Sequence, residues 1–361
     1  MSGTITLDRL NMTKIPSRRL LALAVSLAIL APPAIAQEPL PDKIPEGTVL
    51  RVGDPVTQKA LELSGLIDEV GFKIEWANLS GGPQTSEAFR AKALDVASVA
   101  EIPSIHATWN DLPVRNIAYR ERQDPIAHPI YRFGVSPALG EQIRSIQDFR
   151  GRRIAYSPGQ AQGALVLRTL EAAGLTRDDV TLVEIPSTGD VYPVALASGQ
   201  VDVAPLGSVY IARYIRQYGP DGARLVDHGL RDDPSHLWAP QWVLDDPAKA
   251  AAAAEYVRLW ARATEWINDH PEEFIQGYYV KDQSLSYEDG KAAVEQTGIQ
   301  VIPANWDEVI ARHTHTIELL AEATGNTPFS AEKIFDRRFE RIAAEALAQG
   351  SSATRQEELT Q

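Results

Sequence analysis

The sequence has no cysteine. Disulfides, thiolate nucleophiles and cysteine-ligated metals are therefore excluded, and the 361 residues must rely on a packed core. Basic charge is also scarce, with 35 Lys and Arg against 48 Asp and Glu, a formal net charge of −13. Such a surface repels nucleic acid and anionic lipid, although local N–H groups can still hold an anion at short range. The sequence contains no GxSxG, Walker, GxGxxG or HExxH pattern, so no catalytic constellation and no metal or cofactor site is expected. His313 and His315 are two apart, fall on different faces of a helix, and are expected on its solvated surface.

The first residues carry an export pattern. Arg18-Arg19 precede the apolar run 20–30, and Ala34-Ile35-Ala36 follows, with cleavage expected after Ala36. The run is about half of the roughly 20 residues a membrane-spanning helix needs, and Pro32-Pro33 end it. No cysteine lies near the cut to carry a lipid anchor, so the periplasm is the simplest compartment. Residues 1–36 hold four basic and one acidic residue, a net +3 whose removal takes −13 to −16.

Beyond a proline-rich, flexible leader at 37–47, strand and helix patterns alternate. Strands are predicted at 48–53, 72–76, 94–99 and 114–118, with helices at 58–65 and 87–93 and another opening at Pro103. The charged, proline-bearing stretch 120–129 reads as a loop. A second run follows: strands at 131–135, 153–156, 180–185, 201–205 and 225–228, with helices at 145–150, from Ala161 to Gly174, and at 190–198. From Pro247 the pattern is helical, at 248–268, from Pro271, at 306–323 and at 330–347. The alternation implies βαβ units in two α/β lobes, each a mostly parallel sheet flanked by helices, with ligands at the carboxyl ends of the strands. The lobe boundaries read as 48–131 plus 230–347 for the first and 132–229 for the second, with a disordered tail at 348–361.

Two glycine turns occupy equivalent places in the two halves. Gly82, Gln84 and Thr85 belong to the first, and Ser157, Gln160, Ala161 and Gln162 to the second. Each turn aims helix N–H groups and hydrogen-bonding side chains at whatever sits in front. Glu101 heads a helix on the same side, either complementing the helix dipole or meeting a ligand amine or hydroxyl. Tyr192, Tyr210, Trp238 and Trp242 are candidates for aromatic walls.

Taken together, Leu50-Arg51-Val52-Gly53-Asp54, Gly82-Pro83, Leu94-Asp95, the Pro103 helix, residues 145–155, residues 170–175, residues 198–202 and Asp246-Pro247 resemble the periplasmic solute-binding proteins of ABC importers, in the aliphatic sulfonate, taurine and nitrate branch. The resemblance covers residues 50–339. It implies two lobes joined by two crossing strands, which close over a small anion held by helix N-termini and neutral donors. It also implies docking of the closed form on an inner-membrane permease, a monomer, and no catalysis. The family's usual Gly-Ser-Ser-Ala-His-Tyr turn is here Gly159-Gln160-Ala161-Gln162-Gly163-Ala164. Glu101 stands where the family has a neutral residue, and Leu206-Gly207-Ser208 replaces its Trp-Asp-Pro. These departures place Ser208 on the expected lining and favour a cargo with an amine or several hydroxyls, or with less anion character. The alternatives are a same-fold enzyme related to thiamine-pyrimidine synthases, whose cysteine-rich motifs are absent here, and a binding protein that serves a sensor.

Overall fold

The structure, a computed structural model, describes residue 1 and residues 38–79, 81–207, 209–232 and 235–349. The chain divides into two units, Met1–Glu38 and Pro39–Gln361, and every strand and helix named here belongs to the second. The export signal expected at 1–36 and most of the expected tail lie outside the described residues. Residues 38–47, read as a flexible leader, form no regular element, but Leu40 and Ile44 pack half-buried against the main core. Among the described residues, no helix is long and apolar enough to cross a membrane.

The first half runs β1 (Val49–Gly53), α1 (Pro55–Ser64), β2 (Lys73–Trp76), α2 (Gly82–Arg90), β3 (Val96–Ala100), α3 (Ile102–Trp109) and β4 (Val114–Arg122). The chain then crosses to β5 (Tyr131–Val135), β6 (Arg153–Tyr156), α4 (Ala161–Ala172), β7 (Thr181–Glu184), α5 (Val191–Ala197), β8 (Val203–Gly207), α6 (Val209–Tyr218) and β9 (Arg224–Val226). It returns through β10 (Ser235–Pro240), α7 (Gln241–Leu244), α8 (Pro247–Asp269), α9 (Pro271–Phe274), a π-helix (Ile275–Asp282), α10 (Tyr287–Thr297), β11 (Gln300–Val301) and α11 (Asp307–Thr324).

Local chemistry explains many of the boundaries. Asp54 caps α1 by accepting from the Thr57 N–H at 3.2 Å, Pro55 opens the helix, and Gly65 closes it at φ 77°. Asp246 caps α8 the same way, accepting from the N–H groups of Ala248 and Lys249. The buried alanines 250–254 let α8 approach the first sheet closely.

The sheets share one topology. The first has strand order β11-β4-β10-β3-β1-β2 and the second β7-β6-β8-β5-β9. Without the short β11, each is a set of parallel strands with one antiparallel strand inserted: β10 between β4 and β3, and β5 between β9 and β8. The inserted strand is in each case the one that arrives from the other half. The main apolar cluster contains residues of both sheets, with Val52, Ile117 and Leu237 from one and Phe133, Val135 and Ile154 from the other.

Four expectations need correction. α2 starts at Gly82, five residues earlier than expected, because Pro83 fits the first turn, so Gln84 and Thr85 lie inside the helix. The stretch 120–129 is strand as far as Arg122, with Arg120 paired to Ser235 and Arg122 to Gln300. Neighbouring strands supply those ladders, and composition does not reveal them. The predicted helix 330–347 is helical only from residue 342 on; its first part breaks into 3₁₀ turns at Ala331–Ile334 and Arg337–Phe339, because Phe335 bridges to Asn116 on β4 and the Asp336 N–H donates to the Asn116 carbonyl. His313 is fully buried, 4.8 Å ring to ring from His236, whereas His315 stays exposed and pairs with Glu171.

Candidate functional site

The turn between β6 and α4 is built around one side-chain amide. Gln160 Oε1 accepts from Ser157 Oγ at 2.6 Å, from Ser187 Oγ at 2.5 Å and from the Ser187 N–H at 3.2 Å. These bonds tie the turn to the segment after β7 and leave the amide NH₂ unused by them. Gly163 permits the turn: a Cβ there would lie 2.0 Å from the Ser157 carbonyl oxygen. Ala161 is the first residue of α4 and is half-buried.

In front of this turn lies a cavity of about 250 Å³, walled by Tyr131, Gln162, Ser187, Tyr192, Leu206 and Tyr210. Polar side chains and three aromatic rings thus converge on a small space, as in sites that orient a small solute. The Tyr192 hydroxyl is buried without a hydrogen-bond partner of sound geometry. Burial pushes its pKa above the usual tyrosine value, with the nearby Ser157 and Ser187 hydroxyls opposing. Burial raises the Tyr131 hydroxyl likewise, helped by Asp232.

A second space, a groove of about 520 Å³, runs along α2 and α3 and reaches Gly159 of the other half. Gly82, Gln84, Arg90, Pro103 and His106 line it. Gly82 is there for packing: a Cβ would meet Pro103 Cγ at 2.5 Å, so glycine lets the two helix starts touch. Gln84 is exposed on the groove. Burial lowers the His106 pKa, opposed by the Pro158 carbonyl beside the ring.

A third space, a chamber of about 490 Å³, shares Ile130 with the Tyr192 cavity and includes Arg120, Ser235 and residues of α8, α9 and α10. Arg120 is 7% exposed. Its stretch has the composition of a loop, so sequence reasoning did not single it out.

The expected residues therefore separate. Gln162 and Tyr192 line one cavity with Ser157 and Gln160 behind them, while Gly82 and Gln84 line the groove. Thr85 is buried and donates its hydroxyl to the Gly81 carbonyl at 2.8 Å. Glu101 is engaged with another side chain: its carboxylate lies 2.8 Å from the Arg168 guanidinium of α4, and the two side chains are only 4% and 15% exposed. This ion pair joins the two halves. Trp238 is fully buried in the first half, edge-on to Phe89 at 4.9 Å, and lines none of these spaces. Ser208 lies outside the described residues.

A chain of Escherichia coli (strain K12) named as an aliphatic sulfonates-binding protein is 28% identical over 147 residues, 41% of this chain and 44% of that protein. The chain thus spans less than half the length of that relative. Among solved structures, the periplasmic aliphatic sulphonate binding protein SsuA from Escherichia coli superposes with a TM-score of 0.67 at 20% identity, covering 80% of this chain and 92% of that one. The desulfurization enzyme DSZB superposes with a TM-score of 0.58 at 18% identity, covering 84% and 99%. The fold is that of periplasmic binding proteins. The NMT1/THI5 like family profile matches residues 68–274, from the approach to β2 through α9, and the chain belongs to that family.

Proposed function

We propose that this chain is the periplasmic substrate-binding component of an ABC import system, which captures a small organic or inorganic anion between its two halves and delivers it to a membrane permease. The observation that carries the reading is the pair of adjoining cavities at the crossover, with neutral donors from Gln162 and Tyr192 on one side and a buried guanidinium on the other. The sulfonate-binding relative supports the same class of cargo. Sulfonates, taurine and nitrate are the first candidates. Recognition needs no chemical step: pre-formed donors select the solute, and closure of the halves reports occupancy.

Calorimetric titration and thermal shift with linear and aromatic sulfonates, taurine, nitrate and a neutral sugar test the reading. Heat and a rise in Tm are expected with at least one anion and not with the sugar. Gln160→Ala, which releases Ser157 and Ser187 from their shared acceptor, should weaken binding by roughly tenfold, about the worth of one hydrogen bond. A flat response to every anion sinks the proposal. Catalysis is the second reading, because the desulfurization enzyme DSZB shares the fold. Loss of a bound sulfonate with release of inorganic sulfur during prolonged incubation is the result that would establish it.

A further inference from the structure

The chamber beside β4 combines a large apolar wall with one deeply buried cation. Val56, Ile130, Ile267, Phe274, Val294 and Ile299 supply apolar surface, and the volume of about 490 Å³ is in the range of small-molecule sites. Arg120 enters from β4. In the register of the sheet, its side chain falls on the α8 face, where its guanidinium lies 4.8 Å over the Trp260 ring and donates to Thr264 Oγ1 at 3.0 Å. Ile267 and Asn268 on the next turn of α8 line the same chamber.

Among the described residues, no carboxylate forms an ion pair with Arg120. The carboxylate that acts on it through space is that of Asp54. The Asp54 oxygens are already engaged, one by the Thr57 N–H at 3.2 Å and the other by the Tyr256 hydroxyl at 3.2 Å. Arg120 Nε is buried without an acceptor. The other charged groups of the wall are committed elsewhere. Glu121 meets Arg231 at 2.6 Å and Arg312 at 3.3 Å, Arg122 donates to the Gln296 and His128 carbonyls, and His128 Nδ1 lies 3.0 Å from the Glu295 carbonyl. A buried guanidinium that a carboxylate reaches only through space, beside an apolar chamber, is costly, and a bound anion in direct contact would relieve that cost.

We propose that this chamber is the site of an amphipathic organic anion, its acidic head on the Arg120 guanidinium and its apolar body between α8, α9 and α10. This rests on the solute-binding reading and narrows its cargo. An inorganic ion would leave the apolar wall unused, and a neutral solute would leave Arg120 with the through-space influence of Asp54 alone.

The experiment is calorimetric titration of the purified protein with octanesulfonate, naphthalene-2-sulfonate, the matching carboxylates, octanol, inorganic sulfate and nitrate. The apolar sulfonates or carboxylates should bind at least tenfold more tightly than octanol, sulfate or nitrate. Arg120→Met should lower that affinity about 10- to 150-fold, the worth of a charge-assisted hydrogen bond, and Arg120→Lys by less, because it keeps the charge and loses the planar fork. Val294→Phe fills the chamber from a half-buried position and should abolish binding with Arg120 intact, which covers the case in which the Arg120 variants do not fold. Apolar anions that bind the Met and Phe variants as tightly as the parent overturn the chamber and leave the solute-binding reading standing. Nitrate or sulfate binding as tightly as the organic anions overturns the amphipathic class alone. Silence across the whole panel removes both.

Discussion

Asp95 and Asp202 occupy equivalent places just before β3 and β8, and both pin a neighbouring strand. Asp95 accepts from the Arg51 N–H and guanidinium and lies 2.6 Å from Lys249 Nζ, with its own side chain fully buried. Asp202 accepts the same pair of bonds from Arg153, but its partner is 45% exposed. Removal of Asp95 leaves the half-buried Arg51 and Lys249 without their shared carboxylate and the Arg51 N–H without its acceptor, so Asp95→Ala should cost about 1–3 kcal/mol in urea denaturation and Asp202→Ala distinctly less. Equal losses would contradict that account. The shared Leu94-Asp95 and Val201-Asp202 patterns are therefore structural.

His236 belongs to the residue scale as well. Both its ring nitrogens are buried without partners, and burial holds its pKa well below the usual value, with His313 and Arg312 adding to the effect. The folded protein keeps the ring neutral while the unfolded chain takes up a proton below about pH 6.5. Stability should therefore be complete above that pH and fall as pH drops below it. His236→Leu should flatten this part of the profile, and an unchanged slope in chemical denaturation from pH 7 to pH 5 would assign the effect to other groups.

At the scale of elements, the joint between α3 and α4 matters most. Glu101 at the head of α3 and Arg168 two turns into α4 form a nearly buried ion pair across the halves. Arg168→Met leaves the carboxylate buried and unpaired and should cost about 3–5 kcal/mol, while the double variant Glu101→Gln with Arg168→Met should recover part of the loss. Additive losses in that cycle would show that the two side chains do not depend on each other. The β6–α4 turn has a comparable constraint. Gly163→Ala pushes a methyl against the Ser157 carbonyl and should cost about 1–3 kcal/mol.

At the scale of the molecule, two sheets of one topology are held together by crossing strands and by ion pairs on more than one flank. Glu101 with Arg168 is one, and Asp289 of α10 with Arg213 and Arg216 of α6 is another. If these pairs hold the halves together, a variant with Arg168→Met and Asp289→Asn should show a larger radius of gyration in small-angle scattering without ligand. It should also bind any ligand more weakly without touching it. An unchanged radius would show that the shared apolar core alone sets the spacing.

The sequence by itself determined the class of the fold, its two repeated halves and the turn at 157–163, because these follow from hydrophobic period, capping residues and glycine at close contacts, all local properties. Around the Tyr192 cavity it singled out Gln162, Tyr192 and Tyr210, but not Tyr131 or Ser187. It could not separate Glu101 as a ligand partner from Glu101 as a bridge, because Arg168 is 67 positions away and reaches it only when α4 packs on α3. It could not place Trp238 in the core or His313 beside His236, because burial of those rings depends on strands and helices far along the chain. Most of all it concealed Arg120. A charged run with a proline after it has the composition of a loop. Only pairing with β10 and β11 makes it a strand, and only the ring of Trp260 from α8 gives its guanidinium a buried place.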